Sequence, residues 1–335
     1  MKIKDILQIK YGKNQSSVID ENGKYPIIGT GGIFGYATKY LYNKPSVLIG
    51  RKGSINNPMY VDTPFWTVDT LFYTIIDTSK VIPRWFYYYI STLNLNKFNE
   101  GTTIPSLTTK TLYEIDVPEH SLNYQQHIVD IIGSLDDKIE NNNKIIEKID
   151  KLGLSKYKKI KNDFIDFNDF ANFEKGKEAS SQNYMSEKNN ENINFIRVKD
   201  LNSLTDTYIS KTLDIPVAKP NDVLISFDGA IGRINYGLMG AYSSGIYKVI
   251  PKFTNDYGIL YWSLKDNTNQ QIMLEHTNGT TILHGSKSIK YLKIKKHLQD
   301  DIDYFNKIFD YSLNIKLENI KLCELKKLYL KKFFG

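Results

Sequence analysis

The tetrapeptide Gly101-Thr102-Thr103-Ile104 recurs as Gly279-Thr280-Thr281-Ile282, 178 residues further on. Val47-Leu48-Ile49 with Gly53-Ser54-Ile55 recurs as Val223-Leu224-Ile225 with Gly229-Ala230-Ile231, at an offset of 176. Leu135, Ile139, Glu140 and Asn141 match Leu313, Leu317, Glu318 and Asn319, again at 178. One four-residue match arises by chance. Three matches in one order at nearly one offset describe a tandem duplication with a period of about half the chain, and hence two similar folding units.

Each half has the same internal order. Short runs rich in β-branched and aromatic residues, bounded by Gly and Asn, predict strands. In the first half these are Lys24–Gly29, Ser46–Gly50 and Thr70–Ile76; in the second they are Phe195–Val198, Asp222–Ser226 and Gly245–Ile250. A helix follows in each, over 83–95 and 256–274, and the aromatic run Trp85-Phe86-Tyr87-Tyr88-Tyr89 has the spacing of a core helix rather than of a base-stacking platform. Each half closes on a long Pro-free helix, over 124–160 and 299–334.

In the first closing helix Ile128, Ile131, Ile132, Leu135, Ile139, Ile146, Ile149 and Leu152 recur at steps of three and four. In the second, Ile308, Tyr311, Ile315, Leu322, Leu325 and Tyr329 do the same. At 1.5 Å per residue such helices run to roughly 45 Å, longer than a small globule covers, so each is expected to be the other's partner, the alternative being that each packs on its own globule. The interface residues expected from this pattern are Ile128, Leu135, Ile139, Ile146, Ile149, Ile308, Ile315, Leu322 and Leu325. Asn141-Asn142-Asn143 is a polar cluster on the first helix, and a buried Asn sets register in a helix pair.

The chain has 335 residues, with 44 Lys and Arg against 37 Asp and Glu, a net charge of +7. Each closing helix contributes only +1 (seven Lys, six acids), so most of the excess sits on the globules and points to a polyanionic partner. A single cysteine, Cys323, forms no internal disulfide, and His120, His127, His276, His284 and His297 are scattered without a ligand or nucleophile pattern. No metal site is expected. No run of 18 apolar residues occurs, so the expected location is the cytoplasm.

Chain order makes the two helices antiparallel, with the similar globules related by a pseudo-twofold axis. B-DNA has the same local symmetry, with half-sites one turn apart separated by about 34–36 Å. Because the globules differ in sequence, the half-sites they read should differ too.

The block Gly101-Thr102-Thr103-Ile104-Pro105-Ser106-Leu107, then Ile115-Asp116-Val117-Pro118, Tyr124-Gln125-Gln126-His127-Ile128 and Leu135-Asp136-Asp137-Lys138-Ile139, resembles the specificity subunits of type I restriction–modification systems. The second junction, Lys293-Ile294-Lys295-Lys296-His297 and Asp300-Asp301-Ile302-Asp303, departs from that pattern. The resemblance implies an α+β fold in which two α/β target-recognition domains are separated by an antiparallel two-helix coiled coil. The domains would cover 1–122 and 163–297 and the helices 123–162 and 298–335.

It further implies a non-catalytic subunit that reads a bipartite, asymmetric site on double-stranded DNA. Such a subunit recruits two modification (methyltransferase) subunits and, in the full assembly, restriction subunits. S-adenosylmethionine, ATP and Mg would belong to those partners, leaving no cofactor in this chain. The sequence lacks the Asn-Pro-Pro-Tyr/Phe tetrapeptide of adenine methyltransferases and the G-x-x-x-x-G-K-[ST] phosphate loop. The rival readings are a coiled-coil scaffold for proteins, with no DNA role, and a self-sufficient nuclease or methyltransferase.

Base reading requires donors and acceptors on loops, and phosphate contact requires cations. Candidates in the first half are Lys13-Asn14-Gln15, Thr30 and Tyr36 of the glycine-rich Gly29–Tyr36 stretch, Arg51-Lys52, Thr102-Thr103 and Lys110. In the second half they are Lys175, Lys177, Lys199, Asp228, Arg233, Thr280, Thr281 and Lys287. Arg51-Lys52-Gly53 and Ser226-Phe227-Asp228-Gly229 occupy equivalent strand-end turns, where Arg suits guanine and Asp228 could accept from cytosine. For Gly29–Tyr36 a plain hairpin turn is the alternative; for the Gly-Thr-Thr-Ile segments it is a purely structural junction.

Overall fold

The structure, a computed structural model, describes residues 1–202, 205, 207–253, 256–277 and 284–335. It divides into two compact units, one of Met1–Lys138 with Leu322–Gly335, the other of Ile139–Lys321. Among the described residues no helix is long and apolar enough to cross a membrane.

The first unit contains β1 (Leu7–Tyr11), β2 (Tyr25–Gly29), β3 (Gly32–Ala37), β4 (Ser46–Gly50), β5 (Met59–Val61), β6 (Trp66–Thr67), β7 (Leu71–Ile76), α1 (Pro83–Thr92), α2 (Thr109–Tyr113) and the start of α3 (Leu122–Lys159). One antiparallel sheet has the order β1-β7-β4-β5; a second has the order β3-β2-β6, with β2 and β6 parallel. Val47, Leu48 and Ile49 are fully buried, as a strand covered on both faces requires. Pro83 opens α1, where it costs no hydrogen bond, and Trp85, Phe86, Tyr88 and Tyr89 point into the core. The aromatic run is therefore core, as its spacing predicts.

The second unit repeats this plan. After α3 come β8 (Phe164–Asp166), β9 (Ala171–Lys175), β10 (Asn192–Ile196), β11 (Tyr208–Ser210), β12 (Val217–Ala218), β13 (Val223–Ser226), β14 (Ile234–Asn235), β15 (Gly240–Tyr242), β16 (Ile246–Pro251), α4 (Tyr257–Lys265), α5 (Asn267–Glu275), β17 (Lys293–Lys295) and α6 (Gln299–Phe334). The order β9-β16-β13-β14 mirrors β1-β7-β4-β5, and β10 pairs parallel with β15 as β2 does with β6. The duplication is thus visible strand by strand. The predicted helix over 256–274 is two helices instead. Asp266 is extended (φ −64°, ψ 144°) and its carboxylate accepts from the Thr268 N–H, so it ends α4 and caps α5. The strand expected at Phe195–Val198 runs over Asn192–Ile196 instead, ending before the 3-10 turn that Val198 opens.

Within each unit, the segments of α3 and α6 that belong to it pack side by side and antiparallel. In the second unit the Asn142 Nδ2 donates to Glu318 Oε2 (2.7 Å) and to Asn319 Oδ1 (2.8 Å), and Asn319 Nδ2 donates to Asn143. Asn142 is fully buried. Asn319, the repeat equivalent of Asn141, thus meets the two residues that follow Asn141. In the first unit Lys326 pairs with Asp136 at 2.6 Å, and Phe333 lies edge-on to His127.

The seam differs from the expected stripe. Ile128 and Ile132 are buried in the first unit's core with Trp85, and Ile149 and Ile315 in the second unit's core with Trp262. Ile146 and Ile308 pack against that second core, while Leu135, Ile139 and Leu322 are half-buried. Leu152, Tyr311 and Leu325 are exposed, at 53%, 57% and 39%. The apolar faces are shared between the partner helix and each unit's own globule. Phe305 and Phe309 take the globule side of α6, which turns Tyr311 outward. At Leu325 the inward place goes to Lys326, held by Asp136 against the Tyr88 ring.

Lys316 of α6 is half-buried in the second unit, where its Nζ contacts Asn235 Oδ1, the Tyr236 carbonyl and the Tyr236 ring face. Burial pushes its pKa down to about 8, against the pull of Asp150. Between about pH 8 and the ordinary lysine value the unfolded chain binds the extra proton, so stability rises with pH there. Measured by denaturant unfolding at pH 7.5 and 9.5, wild type should gain roughly 2 kcal/mol at the higher pH relative to Lys316→Met, a comparison in which the opposing raised tyrosines and Cys323 cancel.

Candidate nucleic-acid interface

In an antiparallel sheet the end of one strand lies beside the start of the next. Tyr11 pairs with Phe72 and Gly50 with Leu71, so residues after β1, after β4 and before β7 share one end of the first unit's sheet. The sequence places Gly12-Lys13, Arg51-Lys52 and Asp69-Thr70 there. The Gly12 N–H donates to the Leu71 carbonyl and the Lys13 N–H to the Thr67 carbonyl. A Cβ on Gly12 would sit 2.0 Å from the Val68 oxygen, so only glycine allows this approach. The second unit builds the same junction: Gly176 donates to the Ile246 carbonyl, Lys177 to the Tyr242 carbonyl, and a Cβ on Gly176 would meet the Ser243 oxygen at 2.2 Å.

The strand-end turns complete the correspondence. Lys52 bridges to Ser106 in the first unit, and Asp228 to His284 in the second. Leu107 N–H reaches the Arg51 carbonyl, as Gly285 N–H reaches that of Phe227. One backbone framework therefore carries Lys and Ser in one unit and Asp and His in the other.

The side chains on this framework are prepared to different degrees. The Arg51 guanidinium donates to the Asp69 carbonyl (2.8 Å) and lies over the Tyr11 ring, two contacts that fix its plane. Lys52 and Lys13 are exposed. The Asn14 Oδ1 accepts from the Ser16 N–H and the Gln15 carbonyl from Val18 and Ile19, so this segment is a self-bonded turn. Thr102 and Thr103 are exposed in a turn whose Asn99 side chain binds Gly101 and Ser106. In the second unit His284 Nδ1 stands 2.8 Å from Asp228 Oδ1. A neutral His284 that donates there presents Nε2 as an acceptor; a protonated one presents a donor.

A cleft of about 430 Å³ opens at this place, lined by Arg197, Lys199, Asp228, Ser244, Gly245 and His284, among others. It brings together Lys199 and Asp228, which the sequence nominates, and Arg197 and Ser244, which it does not. Arg197 is held by Asp200 and Thr207 and lies over Tyr184. Lys177 pairs with Asp214, Lys175 lies over Tyr247, and Arg233 and Lys287 are exposed on segments bonded next to the 227–232 turn. Thr280 and Thr281 lie outside the described residues.

Two nominated residues are not at this end. Lys110 is on α2, and that helix is tied to the middle of β1 through the Ile9 N–H and Tyr113 Oη. Tyr36 stands opposite Pro26, well back from the β2–β3 turn. Gly29–Tyr36 is a hairpin and not an open loop: Gly29 pairs with Gly32, leaving Thr30-Gly31 as the turn.

With that geometry in place, residues 1–151 match the family model described as Type I restriction modification DNA specificity domain. The MjaIX type I restriction enzyme specificity subunit of Methanocaldococcus jannaschii is 28% identical in an alignment 198 residues long that covers 52% of this chain and 45% of that one. The chain thus matches about half the length of that curated relative. A type I restriction–modification S subunit from M. genitalium superposes over 100% of this chain and 95% of its own, with a TM-score of 0.59 at 19% identity, and shares the fold. The HsdS subunit from Thermoanaerobacter tengcongensis aligns over 98% and 97%, with a TM-score of 0.36 at 14% identity.

Proposed function

We infer that this chain is a DNA-reading subunit of a type I restriction–modification complex; the match of residues 1–151 to the type I restriction–modification DNA specificity domain supports that reading. Each unit takes one half of a bipartite, asymmetric site. The observation that carries this reading is the shared framework with unlike side chains: Lys52 opposite Ser106 in one unit, Asp228 opposite His284 in the other. Equivalent backbones with different donors and acceptors are what two readers of different bases need. The chain recruits two modification subunits, and restriction subunits in the full assembly. S-adenosylmethionine, ATP and Mg reside with those partners, and this chain performs no chemical step. Its place of action is the cytoplasm, with the DNA.

The paired helices set the number of base pairs between the half-sites. Removing one heptad from each of α3 and α6 shortens the pair by about 10 Å, or about three base pairs at ~3.4 Å each. Selection from random-sequence duplexes should then return the same half-sites with a gap about three base pairs shorter. An unchanged gap, or altered half-sites, contradicts the reading.

A further inference from the structure

The β2–β3 hairpin carries two adjacent large apolar residues in water: Ile33 is 60% exposed and Phe34 54%. Ile19, itself 49% exposed, packs against the same hairpin at Gly35. Scattered exposed apolar residues need no explanation, but a cluster beside one hairpin turn marks a contact surface. The position of this turn is fixed by register. Ile28 pairs with Thr67 in parallel, so the ends of β2 and β6 lie together. The Phe34 ring sits over Gly29, which also neighbours Val68. Val68 leads directly into Asp69, whose carbonyl holds Arg51. The apolar tip therefore shares its end of the unit with Lys13, Arg51 and Lys52.

A partner meeting this end must offer negative charge around a small apolar group. A protein surface that places acids around an apolar pocket is one occupant. Duplex DNA is the better fit, because phosphates flank the groove and thymine exposes a 5-methyl group on its major-groove edge. We propose that Ile33 and Phe34 read a thymine 5-methyl group in the half-site of the first unit; this rests on the DNA-reading function inferred above. In the second unit the segment after β10, the equivalent of β2, carries Arg197 and Lys199 into the polar cleft instead. The two units then differ in kind: one reads by apolar contact, the other by hydrogen bonds.

The test uses the full chain in its complex with the modification subunits, and a duplex bearing the mapped target. Each thymine of the first half-site is replaced in turn by uracil, which lacks only the methyl group. Wild type should lose about fourfold in affinity at one such position, the worth of one buried methyl. The Ile33→Ser/Phe34→Ser double variant should bind about as weakly as that, be indifferent to uracil, keep its salt dependence, and read the other half-site normally. Lys13→Ala should do the converse, lowering the salt slope by roughly one while keeping the uracil effect. The proposal is overturned if no uracil position matters to wild type, if the first half-site has no thymine, or if the double variant still senses uracil. It is overturned equally if the double variant reads DNA as wild type does but no longer holds the modification subunits, which would make the tip a protein-docking surface. A wild-type complex with no sequence preference at all would remove the DNA-reading function itself.

Discussion

Affinity of this chain for duplex DNA is expected to fall by about 10³–10⁵ between 50 and 200 mM salt, the loss that follows when six or more phosphates are neutralised. The cations proposed for those contacts are Lys13, Arg51 and Lys52 in the first unit, and Lys175, Lys177, Lys199, Arg233 and Lys287 in the second. Lys177 already pairs with Asp214 and must exchange that partner for a phosphate, so it contributes least. The helices carry no comparable excess, each with seven Lys against six acids over 125–160 and 298–335. Binding measured across that salt range on one duplex decides between a DNA reader and a protein scaffold. A scaffold whose contacts are apolar would change little, and a flat salt dependence would favour it.

Replacing Trp262 by alanine should cost about 3–5 kcal/mol in the stability of the second unit, in line with other buried Trp truncations. Trp262 is fully buried, packs on Phe305 (5.5 Å) and Tyr261 (5.1 Å), and donates from Nε1 to the Asp150 carbonyl of α3. Its ring approaches the helix so closely that a Cβ at Gly153 would lie 2.1 Å from it. Gly153→Ala therefore sets two effects against each other. Helix propensity would gain about 1 kcal/mol, whereas overpacking against a fixed indole costs about 1–3 kcal/mol. Net destabilisation is expected. Tyr311→Ala, on the outer face of α6, should stay within about 0.5 kcal/mol. Denaturant midpoints at constant slope measure all three; a stabilising Gly153→Ala would show that the indole yields and the packing is looser than described.

The long helices are legible in the sequence because a Pro-free apolar stripe of more than thirty residues has few other fates. The division of that stripe is not. Spacing alone cannot say whether Tyr311 and Leu325 face a globule, a partner helix or water, and Phe305, Phe309 and Lys326 decide it through contacts remote in sequence. The Asn cluster is readable, since a run of three Asn on an otherwise apolar-seamed helix has to find partners, and Asn142 finds Glu318 and Asn319. The break at Asp266 has a local signal that outweighs the apolar spacing running through it: an Asp before Asn267-Thr268 is a helix N-cap. In the interface, the repeat offsets of 176 and 178 are enough to align Lys52 with Asp228 and Ser106 with His284, because the duplicated strands keep their register. Arg197 and Ser244 stay hidden. Arg197 belongs to a β10–β11 connection far longer than the β2–β3 turn, so no offset points to it, and Ser244 is marked only by lying before β16 as Asp69 lies before β7.

If two unlike readers act on one DNA site through this chain, as proposed, methylated adenines mapped in the genome of the organism that encodes it, with the gene intact, deleted, or carrying Arg51→Ala, should reveal it. The expected map is one bipartite motif with a constant gap, erased by deletion, with bases altered on one side only by Arg51→Ala. A motif that survives deletion, the absence of any such motif, or equal changes on both sides after Arg51→Ala would contradict it.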